Sequence, residues 1–182
     1  MTVAALRTGI FVLVLAGLLR AEVPPRVDSP AFHEFTARVQ QYLRQQEAVP
    51  RMKTTSKRQE IVQRRQTRAQ NIRETRANAK PGDLFGPEIS EEFRQVIRGA
   101  LQGSGRLKVR KTIQEGAPVK GWHLTVNSDY PEDLPTTTVP PALLLRLPQL
   151  PPRVAYRIIG RDFVLEDTEA RVVIDFISGV LP

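Results

Sequence analysis

The apolar positions of this chain follow three rhythms in turn: an unbroken run, then helical spacing, then two-residue alternation. Residues 9–19 (GIFVLVLAGLL) are the unbroken run. From Pro30 to Ala48 the spacing becomes helical. At 100° per residue, Phe32, Phe35, Val39, Tyr42 and Leu43 fall within about 100° of one another, which predicts a helix with one buried face. Ser29 suits its N-cap and Pro30 its first helical position. Val49-Pro50 ends it.

Between Pro50 and Pro81 there is neither Gly nor Pro, and the Gln, Arg, Glu, Ala and Lys content favours a second helix. Its apolar stripe is thin. Ile61, Val62, Ala69 and Ile72 share a face that Arg58, Arg65 and Arg76 interrupt, so this helix is expected to lie against a neighbour without entering a core. Packing on the Phe32–Leu43 stripe would give an antiparallel helical hairpin turned at Pro50, and packing on a second copy would give a dimer. A third helix is expected over Pro87 to Leu101, with Ile89, Phe93, Val96, Ile97 and Ala100 inward and Gly103-Ser104-Gly105 as its break.

The last eighty residues read as strand and loop. Val119 to Val126 is strand-like. Residues 131–152 hold seven prolines and predict a loop with one short helix, Pro141 to Arg146. Val154–Ile159, Phe163–Glu166 and Arg171–Ile177 then predict an antiparallel meander. Alternation puts Val172, Ile174 and Phe176 on one face and Asp175 on a partly wet one. The chain is therefore expected to be α+β: two or three N-terminal helices, one long and basic, then a small antiparallel β-meander of three to four strands. The sheet is expected to rest on the Ile89–Ala100 face.

Charge changes the picture at one place. Residues 51–80 hold ten Lys/Arg and two Asp/Glu, and the rest of the chain is close to neutral. The N-terminus sets an address. One cation, Arg7, precedes the apolar run, and Arg20, Glu22, Pro24 and Pro25 follow it, an arrangement that describes a secretory signal. As a helix the run would cover roughly 16 Å, about half a ~30 Å hydrocarbon core. The expected organisation is a signal peptide over 1–21, a helical basic segment over 22–80 and an α+β region over 81–182. With no cysteine there is no disulfide, so an exported fold must rest on its core.

Residues 126–177 close on Leu147, Pro148, Leu150, Pro151, Tyr156, Arg157, Gly160, Arg161, Asp162, Leu165, Asp167, Ala170, Asp175, Phe176 and Ile177. This LPxLPxxxxYRxxGRDxxLxDxxAxxxxDFI pattern, with GDLFGPEISEEFR at 82–94, resembles an uncharacterised family of exported bacterial proteins. The resemblance implies a shared fold and export, and it carries no activity across. The terminal meander is also similar to the β-hairpin module of periplasmic nickel/cobalt-homeostasis proteins. His33 and His123 are the sole imidazoles, so metal binding is not carried across, and no cofactor is expected.

Lys57, Arg58, Arg64, Arg65, Arg68, Arg73 and Arg76 are the candidate contact residues for an anionic partner, a membrane surface or an envelope polymer. No aromatic lies between Met52 and Lys80, so the stacking of single-strand binders is missing, and export disfavours nucleic acid. Trp122, His123, Asp129 and Tyr130 form the one cluster of catalytic residue types, with His123 as general base of a hydrolase if a carboxylate oriented it. Strand alternation instead sends Trp122 inward and His123 outward. Asp162, Asp167 and Asp175 are read as turn residues, with Arg157, Arg161 and Arg171 as their cross-strand partners. The functional expectation is a non-enzymatic exported protein that binds an anionic surface through residues 51–80. The alternative is a protein–protein module using a sheet edge or the 131–152 loop.

Overall fold

The computed structural model describes residues 28–47, 56–101, 123–131 and 139–181. The leader, the Gly103–Gly105 break, Trp122 and the first half of the strand expected over 119–126 lie outside them. The elements run α1 (Pro30–Gln46), α2 (Arg58–Thr75), α3 (Pro87–Ala100), a short α4 (Pro141–Leu144), then β1 (Val154–Ile159), β2 (Asp162–Asp167) and β3 (Val172–Ile177). The strands form one antiparallel sheet in the order β1-β2-β3. The fold is α+β, helices first and meander last. Residues 123–126, expected to continue a strand, are not one. The chain turns there, and Asn127–Tyr130 instead runs beside β3, with Asn127 N donating to Val173 O and Tyr130 N to Arg171 O.

Local chemistry accounts for the helix ends. Ser29 Oγ accepts from Phe32 N at 3.2 Å, capping α1, and Pro30 occupies a position where no amide is needed. Phe32, Phe35, Val39 and Tyr42 are buried on one side of α1. Phe32 and Phe35 meet Phe93 of α3, Phe35 also meets Phe85 and Tyr156 of β1, and Phe163 of β2 meets Phe85 and Phe93, with ring centroids 5.0–6.3 Å apart. Edge-on and stacked aromatic pairs of this kind add to plain burial. The core therefore sits between α1 and α3 on one side and one face of the sheet on the other.

The sheet departs from simple alternation at β3. Leu165 pairs with Asp175 and Glu166 with Val173, so Ile174 is an extra residue, a β-bulge. The bulge flips the pleat. Val172, Ile174 and Ile177 join the main core, while Phe176 packs with Val164, Val173, Ile159 and Tyr130 on the opposite face. The expected Val172, Ile174, Phe176 face is thus corrected. The bulge also turns Asp175 away from water. It is fully buried, its carboxylate accepting from Gly82 N (2.9 Å), Leu84 N (2.7 Å) and Phe85 N (2.8 Å). Buried carboxylates persist where such donors replace water, and here they tie the loop before α3 to the last strand.

Much of the closing sequence pattern is architecture. Leu147 is buried and Pro148 O accepts from the Tyr156 hydroxyl. Gly160, at φ 57°, turns the β1–β2 hairpin, where Ile159 pairs with Asp162. Asp162 Oδ1 accepts from Gly179 N, and Arg161 Nε donates to Leu181 O. Asp167 Oδ1 accepts from Glu169 N and Ala170 N, closing the β2–β3 turn. The arginine pairing differs from expectation. Arg157 and Arg171 both hold Glu166, and Arg153 holds Asp167. Glu166 lies on the sheet face opposite the helices, as Arg157 does, and pairing there satisfies a carboxylate that is otherwise buried.

Candidate functional site

Helix α2 carries the candidate residues, and it is used in two different ways. Arg58, Ile61, Val62, Arg65, Ala69, Ile72 and Arg76 fall on one face of it at 100° per residue. Ala69 and Ile72 are buried within the core, so the expectation that this helix stays out of a core fails for its C-terminal half. Ile61 and Val62 are each 41% exposed. The stripe runs onto the protein body at one end and off it at the other.

Arginines hold the docked end. Arg76 is buried, with Nη1 donating to Ile174 O at 2.8 Å and its guanidinium 5.4 Å from the centre of the Tyr42 ring. Burial pushes this guanidinium below its ordinary pKa, while Tyr42, Asp175 and Asp83 oppose the shift. Tyr42 in turn donates to Asp167 Oδ2 at 2.7 Å. Burial pushes the Tyr42 phenol far above its ordinary value, and Asp167 adds to the effect. Arg68 pairs with Glu169 at 3.1 Å. Arg73 donates Nε to Asn127 O (3.1 Å) and Nη2 to Asp129 Oδ1 (2.6 Å). Three of the seven candidate cations thus work within the fold.

The remaining four sit on the overhanging half. Lys57 and Arg64 flank Glu60 at 3.2 and 3.8 Å, Arg58 is exposed, and Arg65 lines a cleft with Val62. The expected antiparallel hairpin is not what forms. Gln46, at the end of α1, hydrogen-bonds Asn71 and Thr75 in the last turns of α2, so the helices meet by their C-terminal ends. The reason lies in the arginines, whose carboxylate and carbonyl partners are on the sheet and the 127–129 segment.

That docking creates a cleft of about 550 Å³ between α2 and the sheet edge, lined by Val62, Arg65, Ala69, Arg73, Tyr130 and Arg171 among others. Arg171, at φ 57°, places its guanidinium 4.4 Å from the centre of the Tyr130 ring. The Tyr130 hydroxyl is buried and has no hydrogen-bond partner among the described residues. Burial raises its pKa, with Glu166 adding to the rise, so it is a neutral O–H donor. No local pattern signals this cleft, because Tyr130 and Arg171 are brought to α2 by pairing distant in the chain.

The catalytic grouping does not assemble. His123 is exposed, while Asp129 is held by Arg73 and Tyr130 lies under Arg171. Asp162, Asp167 and Asp175 serve separate backbone amides, and among the described residues no group of three potential metal ligands occurs. No helix among them is long and apolar enough to cross a membrane. Comparison with protein-family models, curated proteins and solved structures finds no match.

Proposed function

We propose that this is a non-enzymatic, exported envelope protein that binds an anionic lipid surface through the overhanging half of α2. The observation that carries the reading is the exposed face of Arg58, Ile61 and Val62, where two apolar side chains stand beside a guanidinium, with the half-buried Arg65 next to them. Residues 57–66 hold four cations against one carboxylate, Glu60. Each cation near an anionic membrane contributes about 1 kcal/mol, and Ile61 and Val62 add apolar contact with the headgroup boundary. An envelope polymer would use the charge and leave these two side chains wet. Export rests on the leader-like residues 1–21 and on the resemblance of the chain's closing pattern. Catalysis has no support in the positions of His123, Asp129 and Tyr130.

The test is co-sedimentation with anionic and neutral vesicles between about 50 and 500 mM salt. The reading expects binding to anionic vesicles alone, weakening steeply with salt. Equal binding across that range, or none to either vesicle, contradicts it. Binding to a soluble anionic polymer with no preference for vesicles would favour the polymer.

A second reading has its own observation. The proline-rich lead-in forms an apolar groove of about 580 Å³ with β1, lined by Pro141, Leu144, Leu145, Pro148, Val154 and Tyr156, and Leu145 is 52% exposed. A protein-interaction module would use this groove. Its binding would survive high salt and be lost in Leu145→Asp.

A further inference from the structure

The hold of the body on α2 loosens along the helix. Its last turns are anchored: Gln46 hydrogen-bonds Asn71 and Thr75, Arg73 donates to Asn127 O, and Arg76 donates to Ile174 O. Before Asn71 the helix meets the core at Ala69, 3% exposed, and the sheet at an ion pair, Arg68 Nη1 to Glu169 Oε2 at 3.1 Å. Further out, Ile61 and Val62 are exposed, and the cleft lies between this stretch and the sheet edge. Segments with sparse apolar contact and solvent-facing polar contacts are the ones that open locally.

The ion pair parts at little cost. Glu169 is half-exposed and has a second guanidinium, Arg153, whose Nε lies 3.7 Å from the same oxygen. When Arg68 leaves, Glu169 keeps Arg153 and meets water, and Arg68 enters solvent. Neither charge is stranded in the interior, which is what makes a broken pair expensive. Arg153 itself stays fixed by Asp167 at 2.8 Å. Arg76 differs, because its guanidinium is 8% exposed and lifting that end would strand it. At 1.5 Å per residue, Arg68 lies about 7.5 Å and Gln59 about 21 Å along the axis from Arg73. A tilt of about 20° about Arg73 would therefore move Arg68 roughly 2.6 Å, enough to part the pair, and Gln59 roughly 7 Å.

The side that such a tilt uncovers suits an anionic surface. Arg65 and Arg68 are half-buried and Ala69 is buried while the helix is docked. With Ile61 and Val62 they span about 120° of the helix, so the lifted helix presents two more guanidiniums and a longer apolar strip. An anionic surface then binds the lifted helix more tightly than the docked one, the differential affinity that a conformational shift requires.

We propose that the Arg68–Glu169 pair is a latch, and that the part of α2 before Asn71 lifts from the sheet edge when the protein meets an anionic membrane. The latch rests on the membrane reading above and adds its regulation: the contact side is partly covered in solution and completed at the surface.

The chain has no cysteine, so spin labels on introduced thiols measure the lift directly. Gln59→Cys/Gln95→Cys and Gln59→Cys/Ser178→Cys join the outer end of α2 to α3 and to the segment after β3, all at exposed positions. In the full chain, the distance in at least one pair should change by about 5 Å or more on phosphatidylglycerol vesicles, and in neither on phosphatidylcholine vesicles. Arg68→Gln breaks the latch while lowering the charge. It should need no more anionic lipid than the parent to reach the lifted distance, whereas loss of a cation alone would demand about fivefold more. Parent protein that binds anionic vesicles with both distances unchanged overturns the latch and leaves the surface reading standing. A fivefold higher lipid requirement for Arg68→Gln also overturns the latch. Absence of any vesicle binding by the parent overturns both.

Discussion

The two halves of α2 are made of nearly the same residues and have opposite fates. Both halves present an apolar pair with arginines on the same face: Ile61 and Val62 with Arg58 and Arg65, Ala69 and Ile72 with Arg68 and Arg76. Ile72 is fully buried while Ile61 is 41% exposed. Apolar content therefore does not decide which half enters the protein. Partners do: the C-terminal half meets Ile174 O, Glu169, Asp129 and the Tyr42 ring, and these satisfy arginines that would otherwise be too costly to bring in. On the N-terminal half, Lys57 and Arg64 pair with Glu60 on their own helix. A basic helix can be structural at one end and left largely to solvent at the other.

Mutations that separate the halves should differ most where burial differs most. Ile72→Ala is expected to lose about 2–5 kcal/mol of stability by chemical denaturation, the usual cost of truncating a buried aliphatic side chain. Ile61→Ala should stay within about 0.5 kcal/mol. Similar costs for the two would break the comparison. Arg76→Gln should lose about 2 kcal/mol, through its charged hydrogen bond to Ile174 O and its position over Tyr42, while Arg58→Gln should lose almost nothing.

Tyr42→Phe gives a smaller effect with a pH signature. It should lose about 1.5 kcal/mol near neutrality, the value of a hydrogen bond to a carboxylate. The Tyr42 pKa is raised in the folded state by burial and by Asp167. Above about pH 10 the unfolded chain therefore releases a proton that the folded one keeps. The stability tied to this phenol is complete below about pH 10 and lost as pH rises beyond it. Denaturation followed from pH 8 to 11 should show the gap between parent and Tyr42→Phe narrowing at the alkaline end. A constant gap would contradict the burial of this hydroxyl. Arg73→Gln, whose Asp129 partner is largely exposed, should cost the least of the docked arginines, about 1 kcal/mol or less.

Local signals wrote most of the fold into the sequence. Ser29-Pro30 marked the start of α1, the Phe32–Tyr42 spacing its buried face, and Gly160 and Asp167 the two turns of the meander. What stayed illegible depended on partners far along the chain. The Ile174 bulge follows from Asp175 reaching the amides of Gly82, Leu84 and Phe85, and nothing near Asp175 announces those donors. A lone carboxylate inside VVIDFI, with a glycine-rich GDLFGP elsewhere, was the available hint. The candidate cations were legible as a group and not as individuals. Arg76 and Arg58 look alike in sequence, and only the position of Ile174 O and Tyr42 makes one internal. The cleft at Tyr130 and Arg171 was missed for the same reason.

Two charge-matched double variants test the division of α2 most directly. Arg58→Gln/Arg64→Gln removes two cations from the overhanging half, and Arg68→Gln/Arg76→Gln removes two from the docked half. In co-sedimentation with anionic vesicles at low salt, below the melting temperature of both, the first pair should lose roughly tenfold or more in affinity, at about 1 kcal/mol per cation, and melt like the parent. The second should melt lower and bind nearly as well. Equal losses of vesicle affinity in the two variants would mean that total charge alone drives binding and that α2 has no dedicated contact half.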